Sequence, residues 1–478
     1  MIHVGGIAVR WIAVILVAAM TLSLIPVVSS VQVFEDPSQT TEIASLTTLS
    51  DPTEIWMLED LYDIRRDLDG DYILMTDIDA SATSDISSDY WNGGKGWIPI
   101  DSFRGKLDGD GNSINGLFID RPNMSYVGLF GTLNSGAVVE NLVLSDTNVT
   151  GNDHVGALAG YNYQGRVSNC TAYGDVTGNY IVGGLLGYKW NGHITNCEVH
   201  VDVAGANSLG GLVGYSISGE IVDSVSYGIV NASNGQVGGL VGFNDWSSVF
   251  NCEAHGDVTG DYEVGGLMGL NMGFSSFNQA TGNVSGREMV GGLIGHNYDM
   301  LTGSKATGHV DGDMNIGGLI GLNSGSVEYC YAHGNVLGNE NTGGLIGYND
   351  YYGYIIDSYS IGQVTGDIRV GGLVGFNMGI STNSFWDIET SGMLMSSAGV
   401  GKMTSEMKDR ATFTDAGWNF EDQWRITDSD TYPSLRQPAV ESDAEEVSPE
   451  SDFIGIGMIT ISALGMFAIL VIRARRRR

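Results

Sequence analysis

A glycine-rich hexad returns along the chain at an almost constant interval. Its central leucines are Leu158 (in Val155-Gly-Ala-Leu-Ala-Gly160), then Leu185, Leu212, Leu240, Leu267, Leu293, Leu319, Leu345 and Leu373 in Gly-Gly-Leu form, spaced by 26 to 28 residues. A shorter version, Val127-Gly-Leu-Phe-Gly131, precedes them. A fixed period of this length marks an array whose units bury themselves against their neighbours. Within residues 182–203 three short β-branched or apolar runs follow one another, Val182–Tyr188, His193–Val199 and His200–Val203, separated by Gly, Asn or Asp. Helices are excluded, because no run reaches the ten or more residues a helix needs and glycine interrupts each. The Leu-x-x-Leu-x-Leu rhythm of leucine-rich repeats is absent, and the runs are too short for an outer-membrane barrel. The reading that remains is all-β: a parallel β-solenoid (β-helix) of about ten coils, each of about three short strands, roughly 48 Å long at the ~4.8 Å strand spacing.

Composition agrees with an array of tight coils. Of 478 residues 70 are glycine and only 8 proline, which excludes collagen. The Gly-Gly pairs are expected to supply positive φ at a sharp corner and close approach between coils. Asn162, Asn244, Asn271, Asn297, Asn323, Asn349 and Asn377 follow the hexad's aromatic position, and stacking predicts an amide ladder. Cys170, Cys197, Cys252 and Cys330 share one slot, taken by Ser224 and Ser358 in other coils, as expected of a small inward residue. Only Cys170 and Cys197 lie on adjacent coils, so a row of free thiols and one bridge are both open.

The chain's two ends set its location. Met1–Ser30 reads as a signal peptide, with Arg10 before an apolar run Trp11–Val28. Phe453–Ile472 is an uncharged span followed by five arginines, which predicts a C-terminal transmembrane helix with a basic cytoplasmic tail and everything before it outside. Removing Arg10 and those five arginines leaves residues 31–452 with 16 bases against 56 acids, a net −40. Such a surface repels nucleic acid and attracts cations, so diffuse calcium binding is expected, with no dedicated cofactor.

The repeated Gly-Gly-Leu-Val-Gly-Tyr-Asn element, with a following Asn-Cys-x-Ala-x-Gly-x-Val-Thr-Gly stretch, resembles the GLUG motif of prokaryotic surface proteins. Trp97–Ile114 resembles the lead-in of those proteins and Phe385–Thr390 through Tyr432-Pro433 their closing segment; the acidic tail resembles archaeal sorting signals. The resemblance implies an exported, membrane-anchored protein, archaeal in kind, of adhesive or envelope function and without an assigned reaction. The expected organisation is a signal peptide at 1–30, an N-terminal linker at 31–50, cap and lead-in at 51–126, repeats at 127–384 and a C-terminal cap at 385–436. An acidic stalk at 437–452, the membrane helix at 453–472 and the tail at 473–478 complete it. Asp51-Pro-Thr-Glu54 reads as a helix start followed by an apolar stripe of Leu58, Leu61, Ile64 and Leu68, and Trp386, Trp418, Phe420 and Trp424 are expected to close the last coil.

Catalytic motifs are scarce. There is no His-Glu-x-x-His, no Gly-x-Ser-x-Gly and no Walker loop. Asp108-Gly-Asp-Gly-Asn112 opens like a calcium loop but has Ser113 and Ile119 where the glycine and closing acid belong. If Cys197 and Val199 point inward, Glu198, His200 and Asp202 point outward, and Glu253, His255 and Asp257 repeat the trio two coils on. Thr171-x-Tyr173-x-Asp175 and Tyr331-x-His333-x-Asn335 occupy the same face. This face is the candidate binding site for surface glycans or envelope proteins, and paired carboxylates on it allow polysaccharide cleavage as the alternative. Sequons at Asn123, Asn148, Asn231 and Asn283 are candidate glycosylation sites, with Asn169 the least suited. The expected function is a non-enzymatic, membrane-anchored surface protein of adhesion, envelope structure or surface contact.

Overall fold

The computed structural model describes residues 51–436. The signal peptide, linker, stalk, membrane helix and basic tail expected on residues 1–50 and 437–478 lie outside the described residues. Among those described, no helix is long and apolar enough to cross a membrane.

The chain winds as a parallel β-solenoid. A representative coil holds β1 (Tyr180–Gly183), β2 (Leu186–Trp190), β3 (His193–Thr195) and β4 (Glu198–Gly205). Each strand pairs in parallel with its equivalent one repeat away, as in Val155↔Val182↔Leu209 for β1 and Tyr161↔Tyr188↔Tyr215 for β2. The β2-type sheet has 10 strands, one per hexad, in agreement with the ten coils expected. The coil has four strands rather than three because the hexad is not one strand. Gly184-Leu185 is a corner inside it, dividing Val182 and Tyr188 between two sheets.

The core is a set of columns running the length of the stack. Val182, Leu185, Leu186, Ile194, Cys197, Val199, Val201 and Val203 are all fully or almost fully buried, each burial contributing roughly 1.5–3 kcal/mol for the larger side chains. Asn244, Asn271, Asn297, Asn323, Asn349 and Asn377 form the expected ladder, each amide donating to the next at 2.7–3.0 Å. Lys189 and Ser216 fill the two rungs between Asn162 and Asn244. The four cysteines are buried free thiols; Cys170 and Cys197 aim their Sγ at the carbonyls of Ser168 and Thr195, at 3.3 and 3.5 Å.

The hexad glycines do only part of what was expected of them. None of them has positive φ. They are small because the next coil is close: a Cβ on Gly184 would lie 2.1 Å from the Gly211 carbonyl oxygen. At the corner before β4 and its equivalents the left-handed residue is Asn141, Asn169, Asn196, Asp223 and Asn251 in turn, at φ of 54, 52, 53, 50 and 51°, types that tolerate it, and Phe277 and Tyr329 take the same φ further along. The exposed asparagine amides make a second ladder, Asn196 to Asn169 at 2.8 Å and Asn169 to Asn141 at 3.0 Å.

Both flanks depart from expectation. Thr53–Ile55, Asp71–Leu74 and Lys106–Asp108 already stack in parallel beneath Val138–Glu140, in the β3-type sheet. The segment after Asp51 is therefore a strand, and the helix α1 begins at Leu58 and ends at Asp63. Its first turn is capped by Asp60, whose carboxylate accepts the Trp56 and Met57 amides at 2.9 and 3.1 Å. Leu58, Leu61 and Ile64 are buried as the stripe predicts.

At the other end only Trp386 plugs the stack. It occupies the inward column held by Ser360 and Ala332 one and two coils earlier, and lies against Gly372. Trp418, Phe420 and Trp424 pack with Met407 and Phe413 on Tyr331, Tyr359 and Phe385, which belong to the outward column of the β4-type sheet. The closing segment thus folds back over the flank, where that column turns aromatic.

Candidate functional site

The outward face of β4 carries the residues singled out by sequence. Glu198, His200 and Asp202 alternate with buried Val199, Val201 and Val203, as a strand requires. The coil before pairs Thr171, Tyr173 and Asp175 with them in register. The fold brings these positions together into three outward columns, each doing something different.

The middle column is a stack of rings. Tyr173, His200, Tyr227 and His255 follow one another with centroids 4.7, 4.5 and 4.9 Å apart and planes within 12, 10 and 20° of parallel. Their faces are spent on each other, so what reaches solvent is a comb of edges, with Tyr173 41% and Tyr227 43% exposed. Tyr227 escaped the sequence reading because its own coil lacks the Glu and Asp of the trio. Its place one period after His200 is the signal that locates it.

The first column holds the imidazoles. His200 Nε2 lies 2.5 Å from Glu198 Oε1 and His255 Nε2 lies 2.9 Å from Glu253 Oε2, both partners on the same strand. His255 Nδ1 meets Thr281 Oγ1 at 2.8 Å, completing its contacts.

The third column is structural. From the coil after β4 onward the strand is broken at glycine, as at Gly228, where a Cβ would sit 1.9 Å from the Val201 carbonyl. The residue that follows has an amide without a ladder partner. Asp202 Oδ1 accepts Ile229 N at 2.8 Å, and Asp257 Oδ1 accepts Asn283 N at 2.8 Å. Asn283 and Asn335 repeat the device toward His309 and Gln363 at 3.2 and 3.0 Å. These two aspartates therefore hold successive coils in place.

The face ends before Tyr331 and His333. His333 donates or accepts at 2.8 Å with the Tyr359 hydroxyl beneath Tyr432, and burial pushes its pKa down to about 4. The open part of the face runs from Tyr173 to His255. The sequon residues Asn123, Asn148, Asn231 and Asn283 are all exposed; so is Asn169, but both ends of its amide are engaged in the corner ladder. Among the described residues no group of three His, Cys, Asp or Glu side chains is arranged to hold a metal ion. Asp108 uses Oδ1 on Asp110 N and Asn141 Nδ2, at 2.9 and 3.0 Å, in a glycine-rich turn.

A ten-coil parallel β-solenoid with a ring comb on one face is thus the class of protein defined here. Its repeats are GLUG motifs: residues 151–177, 233–259 and 312–337 match that family model, and the first stretch spans one complete turn of the coil. These three stretches carry the motif that the sequence resemblance implied. Halomucin of Haloquadratum walsbyi is 46% identical over 103 residues, 22% of this chain and 1% of that protein. A "Putative Gly-rich membrane protein" of Evansella cellulosilytica is 39% identical over 97 residues, 19% of this chain and 10% of that one. The chain matches only these small shares of both relatives. Among solved structures, a "putative immunoglobulin A1 protease" from Bacteroides ovatus aligns at a TM-score of 0.37 and 18% identity, covering 81% of this chain and 93% of that one. An IgA1 protease aligns at 0.31 and 15%, covering 84% and 26%.

Proposed function

We infer that this is a non-catalytic cell-surface protein, anchored by its C-terminal apolar segment, whose solenoid serves adhesion or envelope contact through its outer face. One observation carries the reading: the open face offers no free pair of carboxylates, because four of its five are committed and only Asp175, in register with Asp202, stands without a hydrogen bond among the described residues. Asp202 and Asp257 accept backbone amides of the next coil, and Glu198 and Glu253 are paired with histidines. Cleavage by paired carboxylates requires one group free to donate a proton and one free to accept or attack. A comb of phenol and imidazole edges offers hydrogen bonds to a glycan or to another envelope protein instead. Location rests on the sequence, through Met1–Ser30 and Phe453–Ile472 with its arginines, and the two relatives are named as a halomucin and a membrane protein. Surface sequons and diffuse calcium on a domain of net −40 fit the same setting.

Two measurements test the reading. Protease added to whole cells should remove residues 31–452, and their survival would contradict export. Purified protein incubated with acidic and neutral polysaccharides should yield no new reducing ends. Products that disappear with Glu198→Gln and Glu253→Gln would establish the cleaving alternative.

A further inference from the structure

One cleft on this face runs against the charge of the chain. Between the returning hairpin (Trp424–Arg425 with Ser434–Leu435) and the solenoid wall lies a space of about 60 Å³, lined by Glu253, Gln279, Lys305, Tyr331, Arg425 and Arg436 among others. Residues 31–452 hold 16 bases against 56 acids, yet three of those bases meet here. Lys305 stands in the outward column between Gln279 and Tyr331. Neither Lys305 nor Arg425 forms an ion pair among the described residues. Glu253 is the one carboxylate of the lining, and it is turned to His255.

The cleft is built rather than incidental. Arg425 is fixed by Nε to Ser434 Oγ at 3.1 Å, and Arg436 by Nε and Nη2 to the Trp424 and Phe420 carbonyls at 3.0 and 3.2 Å. Lys305 is half-buried, and desolvation lowers its affinity for a proton, opposed in part by Glu253 and aided by Arg425. Three cations share the cleft with the single carboxylate of Glu253, which is already turned to His255, and a bound oxyanion offsets the repulsion that remains. The space is small and open to solvent, with room for one acid group beside its waters. The ring comb ends at His255, whose partner Glu253 lines the cleft, so a chain lying along the comb brings its acid group to Lys305.

We propose that this cleft is an oxyanion subsite that takes the carboxylate or sulfate ester of an acidic polysaccharide. For the polymer that carries the anion, the proposal rests on the surface-contact reading; the anion site itself stands on its own residues. The full chain in detergent is titrated calorimetrically with polygalacturonate, dextran sulfate and neutral dextran. At least one acidic polymer should bind ten-fold or more tightly than dextran, and which of the two does so identifies the acid group. Lys305→Gln with Arg425→Gln should abolish that preference with dextran binding unchanged, and circular dichroism checks the fold of the variant. In the unmutated protein, the preferred polymer should slow reductive methylation of Lys305, read by mass spectrometry. Equal binding of acidic and neutral polymers, a preference that survives the double substitution in a folded protein, or unprotected Lys305 each overturns the proposal. Failure of the surface-contact reading shows separately, as resistance of residues 31–452 to protease on whole cells while the anion titration succeeds.

Discussion

Lys189 stands in register with Asn162 and puts an ammonium into a column otherwise built of amides and one serine. It is fully buried, donates from Nζ to the Ser218 carbonyl at 2.5 Å and lies 3.3 Å from Ser247 Oγ. Asn244 Oδ1, the first acceptor of the ladder that resumes beyond it, has no partner. Desolvation pushes the Lys189 pKa down to about 7. An unfolded lysine titrates near 10.4, so between about 7 and 10.4 the unfolded chain binds more protons and stability rises with pH. Below about 7 both states are protonated and that stabilisation is gone. Lys189→Met should flatten this slope and stabilise the protein by about 1–4 kcal/mol at pH 6. Urea midpoints at pH 6, 7.5 and 9.5 measure both effects.

The intact part of the ladder should be costly to break. Asn297→Ala strands the Asn271 donor inside the stack and removes one of the two bonds to Asn323 Oδ1, which keeps the Gly325 amide at 3.3 Å. A loss of about 1–3 kcal/mol is expected in chemical denaturation, from one buried donor left without its ladder partner.

Asp257 separates a structural role from a catalytic one. Asp257→Asn keeps an oxygen for the Asn283 amide and should change stability by less than about 0.5 kcal/mol, whereas Asp257→Ala should cost about 1 kcal/mol. Thermal unfolding of the two variants reads the difference, and equal losses would sink the assignment.

Gly266 has no room for a methyl group. A Cβ there would lie 2.2 Å from the Gly292 carbonyl oxygen and 2.9 Å from the Ala280 methyl. Gly266→Ala should destabilise by about 3 kcal/mol or more, because the Gly292 backbone must move away from it. Denaturant titration of this single variant tests whether spacing between coils is what the hexad glycines serve.

The thiols should be silent in the native protein. All four cysteines are free and buried, and burial pushes Cys252 and Cys330 up to about 12. Since the thiolate is the reactive form, a thiol reagent should label none in buffer and four in concentrated guanidinium. Reductant should leave the unfolding midpoint unchanged.

What could be read from sequence follows from which forces repeat. Period, coil number, the inward slot of Cys197 and the Asn271–Asn297–Asn323 ladder all arise from in-register stacking, which any periodic pattern betrays. The corner within the hexad was hidden, because Gly184-Leu185 is as apolar as the strands beside it and hydrophobicity does not mark a bend. Glycine content points to glycine for positive φ, whereas Asn169 and Asn196 carry it with an amide that also bonds along the stack. At the site, alternation placed Glu198, His200 and Asp202 outward, but whether Asp202 is free depends on the Ile229 amide one coil later. Lys305 and Arg425 are 120 residues apart in the chain, and their meeting depends on where the closing hairpin lands.

That landing place also decides how the protein bears load. Arg436, the last described residue, lies on the flank against Glu253 and Lys305, several coils short of the plugged end at Trp386. A pull on the chain beyond it is delivered sideways, through the Trp424 hairpin to the wall, and does not lift the final coil off its neighbour. Parallel strands stacked across the axis then share the force in shear rather than unzipping one rung at a time.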